Sequence, residues 1–240
     1  MAEIIFNQRV NLRTNDFDTH DQLKTRAVLE LFQDIAGLHA NNIGIGFKDS
    51  YNMGFYWVLV RNKIEILKNP VPLTDAILTT WPHEKGRIDC NREYLLKDLD
   101  GNVIARGISK WVIIDINTRR LMRTDKVTYG EGEIHTDNNY QDVEKVHIPN
   151  LEFNLAGKHI VSKNDLDHNG HMNNTRYADL IFDYLNEDIF IKNMHIEYHK
   201  EIRLGEELAI YILKDEDNIY FKGMNKNDEK IFSAIIKRWI

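Results

Sequence analysis

The chain is 240 residues long, 42% hydrophobic and 28% charged, with four prolines, which excludes disordered, collagen-like and low-complexity classes. Its formal net charge of −6 argues against a general nucleic-acid binder, which carries a basic surplus. The single cysteine, Cys90, excludes an internal disulfide and a multi-cysteine metal site.

No apolar run approaches the ~18–20 residues of a membrane-spanning helix. The N-terminus lacks the basic and long apolar regions of a signal peptide. The expected setting is the cytoplasm.

In chain order, residues 4–13 read as a strand leading into a polar turn. An amphipathic helix is expected from Thr25 to Asn41, with Ala27, Val28, Leu31, Phe32, Ile35, Ala36 and Leu38 at helical spacing. Asn42, Gly44 and Gly46 end it. Four strands follow, at 55–67, 76–81, 87–97 and 103–115, separated by short turns that imply an antiparallel sheet. Residues 129–150 lack apolar periodicity and read as a linker.

The same order then repeats. A short strand at 159–161 leads to a polar cluster, Asp165 to Tyr177. A helix is expected at 174–186, with Tyr177, Ala178, Ile181, Tyr184 and Leu185 on one face. Strands follow at 192–203, 207–214, 218–224 and 230–239. Thr25-Arg26 with Leu31-Phe32 matches Thr175-Arg176 with Ile181-Phe182 at constant offset. Asp16 and Asp18 match Asp165 and Asp167 with one residue of slippage, and Trp111 resembles Trp239 in its place within its half. The repeat implies duplication: an N-terminal unit 1–128, a linker 129–150 and a C-terminal unit 151–240. One apolar helix stripe and one apolar sheet face per unit favour a sheet curled around its helix, an α+β architecture.

The cluster Asp167, Asn169 and His171 sets a carboxylate, an amide and an imidazole before a helix N-terminus. Asn173 or Asn174 serves as a helix cap, but capping does not call for the other three. A metal site built on His168, His171 and Asp165 or Asp167 lacks diagnostic spacing; no metal or cofactor is expected. Acyl transfer fits better, because a carboxylate and an imidazole move protons and a helix end stabilises an oxyanion. Glu197, His199 and Glu201 alternate, and share one face if their strand stays regular. Cys90 reads as a buried, inert thiol. Tyr56, Trp57, Trp81 and Trp111 read as core. Neither serine Ser109 nor Ser162 has a nucleophile-elbow context.

These motifs resemble the acyl-ACP thioesterases of fatty acid synthesis. The family's Asp-x-Asn-x-His-Val-Asn-Asn-x-x-Tyr is similar to Asp167 through Tyr177, with Met172 at the Val position. Its Leu/Ile-Glu-Tyr-x-x-Glu resembles Ile196 through Glu201, and its Thr-Arg-Arg segment resembles Thr118-Arg119-Arg120. The resemblance covers about residues 5–240. It implies a double hotdog fold, with the N-terminal unit holding the acyl chain against Val28, Leu31, Phe32 and Ile35.

It further implies hydrolysis of a fatty acyl thioester on acyl carrier protein. By carry-over Asp167 is nucleophile or base, Asn169 its orienter or oxyanion partner, His171 the proton carrier or polariser, and Glu201 the residue that holds or activates water. Plant members carry a Cys after that Glu; here stands Ile202, which excludes a thiol mechanism. Which of Asp167 and Glu201 contacts the thioester carbon stays open. The carrier is acidic as a class, so Lys85, Arg87, Arg106, Lys110, Arg119, Arg120 and Arg123 are candidates to receive it. The competing readings are a hotdog acyl-CoA thioesterase, a double-hotdog enoyl-thioester hydratase and a non-catalytic carrier-binding module. Exposed sheet edges give a homodimer a route to form.

Overall fold

A computed structural model of the chain describes residues 4–129, 134–185 and 190–238. The chain divides into two compact units between Val143 and Glu144.

The N-terminal unit comprises β1 (Phe6–Asn11), α1 (Thr25–Asn42), α2 (Phe47–Asn52), β2 (Phe55–Ile66), β3 (Asp75–Pro82), β4 (Cys90–Asp98) and β5 (Val103–Asp115). Its strands pair antiparallel throughout in the order β1-β3-β4-β5-β2. One arc of α1 is buried, including Val28, Phe32 and Ile35. Phe32 stacks on Tyr94 with centroids 4.6 Å apart. Gly107 on β5 lies under the same ring, where an added Cβ would meet Phe32 Cε2 at 2.7 Å. Helix and sheet touch there without room for a methyl group.

The expected helix face needs correction. Ala27, Val28, Phe32, Ile35 and Ala36 are buried, but Leu38 is 44% exposed and Leu31 only half-buried. Leu29 and His39 are buried instead, because the buried arc of α1 is rotated toward them. His39 stacks on Phe6 of β1 and its Nδ1 meets Arg92 Nη1 at 2.8 Å. The six-residue α2 was not anticipated; it is too short to show a stripe.

Part of the expected linker is fastened to this unit. Glu93 is fully buried and accepts the Asn139 N–H and side-chain amide, both at 2.9 Å, and the Tyr140 N–H at 3.0 Å. His83 Nε2 lies 2.8 Å from the same carboxylate. Trp81 Nε1 donates to Asn138 Oδ1 and Arg61 to the Val143 carbonyl. The acceptors on Glu93 explain how a segment without apolar periodicity packs. Gly130 through Glu133, part of that linker, lie outside the described residues.

The C-terminal unit comprises β6 (Asn154–Ile160), α3 (Arg176–Asp183), β7 (Ile191–Tyr198), β8 (Glu207–Lys214), β9 (Ile219–Asn225) and β10 (Lys230–Arg238). Its antiparallel order is β6-β8-β9-β10-β7, the N-terminal order repeated. Tyr177 of α3 packs edge-on against Tyr198 and Phe232, at 5.5 and 5.1 Å. Tyr177, Ala178, Leu180, Ile181 and Leu185 are buried. Phe182, the repeat counterpart of Phe32, is 40% exposed. Asn186, the expected helix end, and Trp239, the repeat counterpart of Trp111, lie outside the described residues. Two such units in one chain form the double hotdog fold.

The expected strand 192–203 stops at Tyr198. The N–H groups of His199 and Lys200 both point at the Ile231 carbonyl, at 2.8 and 3.3 Å, which bends the chain out of the sheet. Glu197, His199 and Glu201 therefore do not form one strand face. Glu197 accepts the Val146 N–H, His199 meets Ser233 Oγ at 3.0 Å, and Glu201 turns elsewhere.

Candidate active site

The loop between β6 and α3 is wound around two carboxylates. Asp165 is 3% exposed. It accepts the N–H and hydroxyl of Ser162 at 2.7 and 2.8 Å, meets His159 Nε2 at 2.9 Å and pairs with Arg176 at 3.3 Å. Burial pushes its pKa up, but the Ser162 N–H and hydroxyl and His159 pull it further down, to about 2. Its backbone carbonyl also accepts the Asn173 N–H at 2.8 Å. Asp165 thus closes the base of the loop.

Asp167 shapes the tip. Its Oδ1 accepts the N–H groups of Asn169 and His171 at 2.8 and 3.1 Å, and its own N–H donates to the His171 carbonyl at 2.8 Å. Gly170 supplies the left-handed residue, at φ +78°. The Asn173 side chain accepts the N–H and hydroxyl of Thr175 at 2.9 and 3.0 Å, a turn just before α3; the N-cap is Thr175, with no side-chain cap bond, so neither Asn173 nor Asn174 is the helix cap that the sequence suggests.

The chain that leaves the sheet after Tyr198 comes back to this loop. Met172 donates to the Ile202 carbonyl at 2.9 Å, and His171 bridges to Arg203. That pairing brings His171 Nε2 within 3.1 Å of Glu201 Oε2. The Glu201 side chain is 40% exposed and that of His171 17%, so water reaches the carboxylate while the imidazole is mostly enclosed. Of the four expected residues, His171 and Glu201 meet directly. Asp167 is joined to His171 and Asn169 through their backbone. Asn169 stands exposed at the loop tip.

Sequence reasoning took Tyr177 for packing alone. Burial first, then Tyr198 and Glu201, push its phenol well above its usual pKa. A neutral phenol thus stands in the electrostatic field of Glu201. In the sequence Asp165 is weighed only as a metal ligand and repeat match, and Arg176 only as part of the repeat and motif; the folded chain places both at the loop base.

The N-terminal unit carries the same loop without the chemistry. Asp18 Oδ1 accepts the N–H groups of His20 and Gln22 at 2.8 and 2.9 Å, and Asp18 N–H donates to the Gln22 carbonyl at 2.9 Å. Asp21 takes the left-handed position, at φ +54°. Asp18, His20, Asp21 and Gln22 therefore stand where Asp167, Asn169, Gly170 and His171 stand. Leu12 and Val161 exchange equivalent backbone bonds with Leu73–Thr74 and Gly205–Glu206, which places Asn69 at the position of Glu201. Its amide accepts the Leu23 N–H at 2.8 Å and donates to the Asp21 carbonyl at 2.7 Å. In this copy the loop is stapled to Asn69, and neither an Asn–His pair nor the carboxylate is present.

Cys90 is 5% exposed, and burial pushes its thiol pKa up. Among the described residues no three His, Cys, Asp or Glu side chains gather as a metal site. No helix there is long and apolar enough to cross a membrane.

The family models of the acyl-ACP thioesterase N-terminal and C-terminal domains match residues 3–129 and 153–240. Oleoyl-acyl carrier protein thioesterase 2 of Arabidopsis thaliana is 27% identical over 82% of this chain. The dodecanoyl-[acyl-carrier-protein] hydrolase of Cinnamomum camphora is 25% identical over 85% of it. The chain spans 59% and 58% of the length of these two relatives. An acyl-ACP thioesterase structure from Bacteroides thetaiotaomicron superposes with TM-score 0.86 at 20% identity, over 98% of each chain. The 12:0-ACP thioesterase of Umbellularia californica superposes at 0.79 and 17% identity, over 100% of this chain and 98% of its own.

Proposed function

This chain belongs to the acyl-ACP thioesterase family, and from that membership we propose that it hydrolyses fatty acyl thioesters carried on acyl carrier protein, releasing the fatty acid and the carrier thiol. The observation that carries the reading is the contact of His171 with Glu201 at 3.1 Å, beside a loop that also presents Asn169.

Glu201 is the base. It takes a proton from water, and the water oxygen adds to the thioester carbon. With its proton on Nε2, His171 donates to Glu201 and aims the carboxylate. The amide of Asn169 donates to the developing oxyanion. Collapse of the tetrahedral adduct breaks the C–S bond, and the proton held on Glu201 passes to the leaving sulfur. Asp167 is a positioning residue rather than a nucleophile. One of its oxygens already serves two N–H groups, and Asp18 makes the same turn in the copy without the His–Glu pair.

In this reading the N-terminal unit, 1–128, holds the acyl chain and residues 151–240 carry the chemistry. The compartment is the cytoplasm, which cell fractionation tests; the plant relatives named above are chloroplastic.

Thiol release from acyl-ACP and acyl-CoA of several chain lengths tests the activity. Hydrolysis of neither substrate overturns it, and a strong preference for CoA replaces it with an acyl-CoA thioesterase.

A further inference from the structure

The chain is acidic overall, yet two loops of its N-terminal unit gather positive charge. Residues 84–88 and 118–126 hold six basic residues and two acidic ones. The structure stitches them into one surface. Thr124 N–H donates to the Arg87 carbonyl at 3.2 Å, the Thr124 hydroxyl to the Gly86 carbonyl, and Lys85 Nζ to the Val127 carbonyl.

The second loop is also wound tight on itself. Asp115 Oδ1 accepts the Thr118 N–H and hydroxyl at 2.7 and 3.0 Å. Asp115 N–H donates to the Arg120 carbonyl and Met122 N–H to that of Ile113, both at 2.9 Å. Arg119 is held left-handed at φ +58°, its guanidinium 5.1 Å from the Tyr56 ring centroid.

Two of the basic residues that the sequence nominates do not belong to this surface. Arg106 is tied to Glu65 at 2.7 Å. Lys110 is 7% exposed and bridges Asp89 and Asp142, each at 2.7 Å. Arg87, Arg119, Arg120, Arg123 and Lys126 remain exposed; Arg123 has Asp125 at 3.4 Å, both in solvent, where such a pair is weak. Between them lie Ile88 and Leu121, 44% and 50% exposed. A preformed cationic rim around apolar side chains fits an acidic protein face that also offers a few apolar residues. Preformed loops lower the ordering cost of docking.

Resting on the reading of the chain as an acyl-ACP hydrolase, we propose that this two-loop surface is where the acidic carrier protein docks. Arg120 and Arg123 supply steering charge, and Leu121 supplies the apolar contact. Docking of this kind raises the encounter rate and weakens as salt screens it.

The test compares wild type with Arg120→Glu/Arg123→Glu, and with a control carrying the same charge change at Lys226 and Lys230. Binding of fluorescently labelled holo-carrier protein is titrated across salt concentrations. KM and kcat are measured on acyl-ACP and on a small acyl-pantetheine thioester. The loop variant is expected to weaken carrier binding and raise KM for acyl-ACP at least ~tenfold, to flatten the salt dependence, and to leave kcat and acyl-pantetheine turnover unchanged. Leu121→Ala, which alters no charge, is expected to weaken binding without changing the salt slope. Carrier binding unchanged in both variants, or weakened equally by the Lys226/Lys230 control, overturns the docking surface. A wild type that binds the carrier through these loops but hydrolyses neither thioester overturns the hydrolase reading and supports the dock.

Discussion

His171 Nε2 and Glu201 Oε2 stand 3.1 Å apart, although thirty residues separate them in the chain and Glu201 lies beyond the end of its strand. Their meeting depends on the backbone bond from Met172 to the Ile202 carbonyl at 2.9 Å. Glu201→Gln keeps the size and a hydrogen-bonding oxygen but removes the proposed base. It is expected to lower kcat ~10²–10⁴-fold, the usual weight of a positioned general base. KM stays near wild type, since a group that acts in the transition state shows itself in kcat. Full rate in Glu201→Gln would remove Glu201 from the chemistry.

Asp167 and Asp18 offer a matched pair. Each accepts two backbone N–H groups from its own loop. Replacing either by Ala leaves two donors without their charged acceptor at a partly exposed turn, a loss of roughly 1–2 kcal/mol. Thermal denaturation is expected to show similar losses for Asp18→Ala and Asp167→Ala, while only Asp167→Ala lowers kcat. Asp167→Asn, which preserves an acceptor oxygen, is expected to retain more activity than Asp167→Ala. Equal and complete inactivation of both Asp167 variants would return a nucleophilic role to Asp167.

Acid stability should carry the mark of Asp165. Its folded pKa, about 2, lies below the ~3.9 of an unfolded aspartate. The folded state therefore gains stability from this group above pH ~4, and loses it as pH falls toward 2, on the order of 2 kcal/mol in all. Asp165→Asn is expected to be less stable at neutral pH and to lose less between pH 5 and 2. Urea unfolding at stepped pH measures the difference, and parallel curves for the two proteins would contradict it.

Glu93 holds residues 139 and 140 by three N–H donors and meets His83 in a buried place. Removing one side of a buried, hydrogen-bonded charge costs roughly 3–5 kcal/mol. Glu93→Ala is expected to destabilise the chain by that order and to open the segment to protease under native conditions. Cleavage mapped by mass spectrometry checks the site; protection equal to wild type would show that Trp81 and Arg61 suffice.

Phe32→Ala is expected to cost about 3–5 kcal/mol, the range for removing a buried aromatic side chain. Gly107→Ala is expected to destabilise too, since its methyl group would meet the same ring and the Lys63 carbonyl at 2.9 Å. Smaller effects in chemical denaturation would mean that the layer between α1 and the sheet relaxes more than its contacts imply.

Much of the fold was legible because it obeys short-range rules. β5 and β8 have the expected bounds, 103–115 and 207–214, and α1 extends one residue past its expected end. The duplication was legible from the Asp pairs and the Thr-Arg steps, and the loops around Asp18 and Asp167 bear it out bond for bond. What was not legible depends on contacts between distant residues. Leu38 has the right spacing for the core yet is exposed, because the sheet sets which arc of α1 it covers. Glu201 was singled out on the assumption of a regular strand. The strand ends three residues earlier, and a bend delivers the carboxylate to His171. The hold of Glu93 on residues 139 and 140 leaves no periodic trace, since a polar segment looks the same whether water or a buried carboxylate satisfies its N–H groups.

In two copies of one frame, the same place holds a carboxylate, Glu201, and an amide, Asn69. An amide does not accept a proton from water at any pH at which the chain stays folded, so no change of conditions turns the stapled loop into a second centre. The duplicated chain should therefore count as a single unit in stoichiometry. A tight-binding inhibitor is expected to titrate one equivalent per polypeptide, half of what two identical copies would take up.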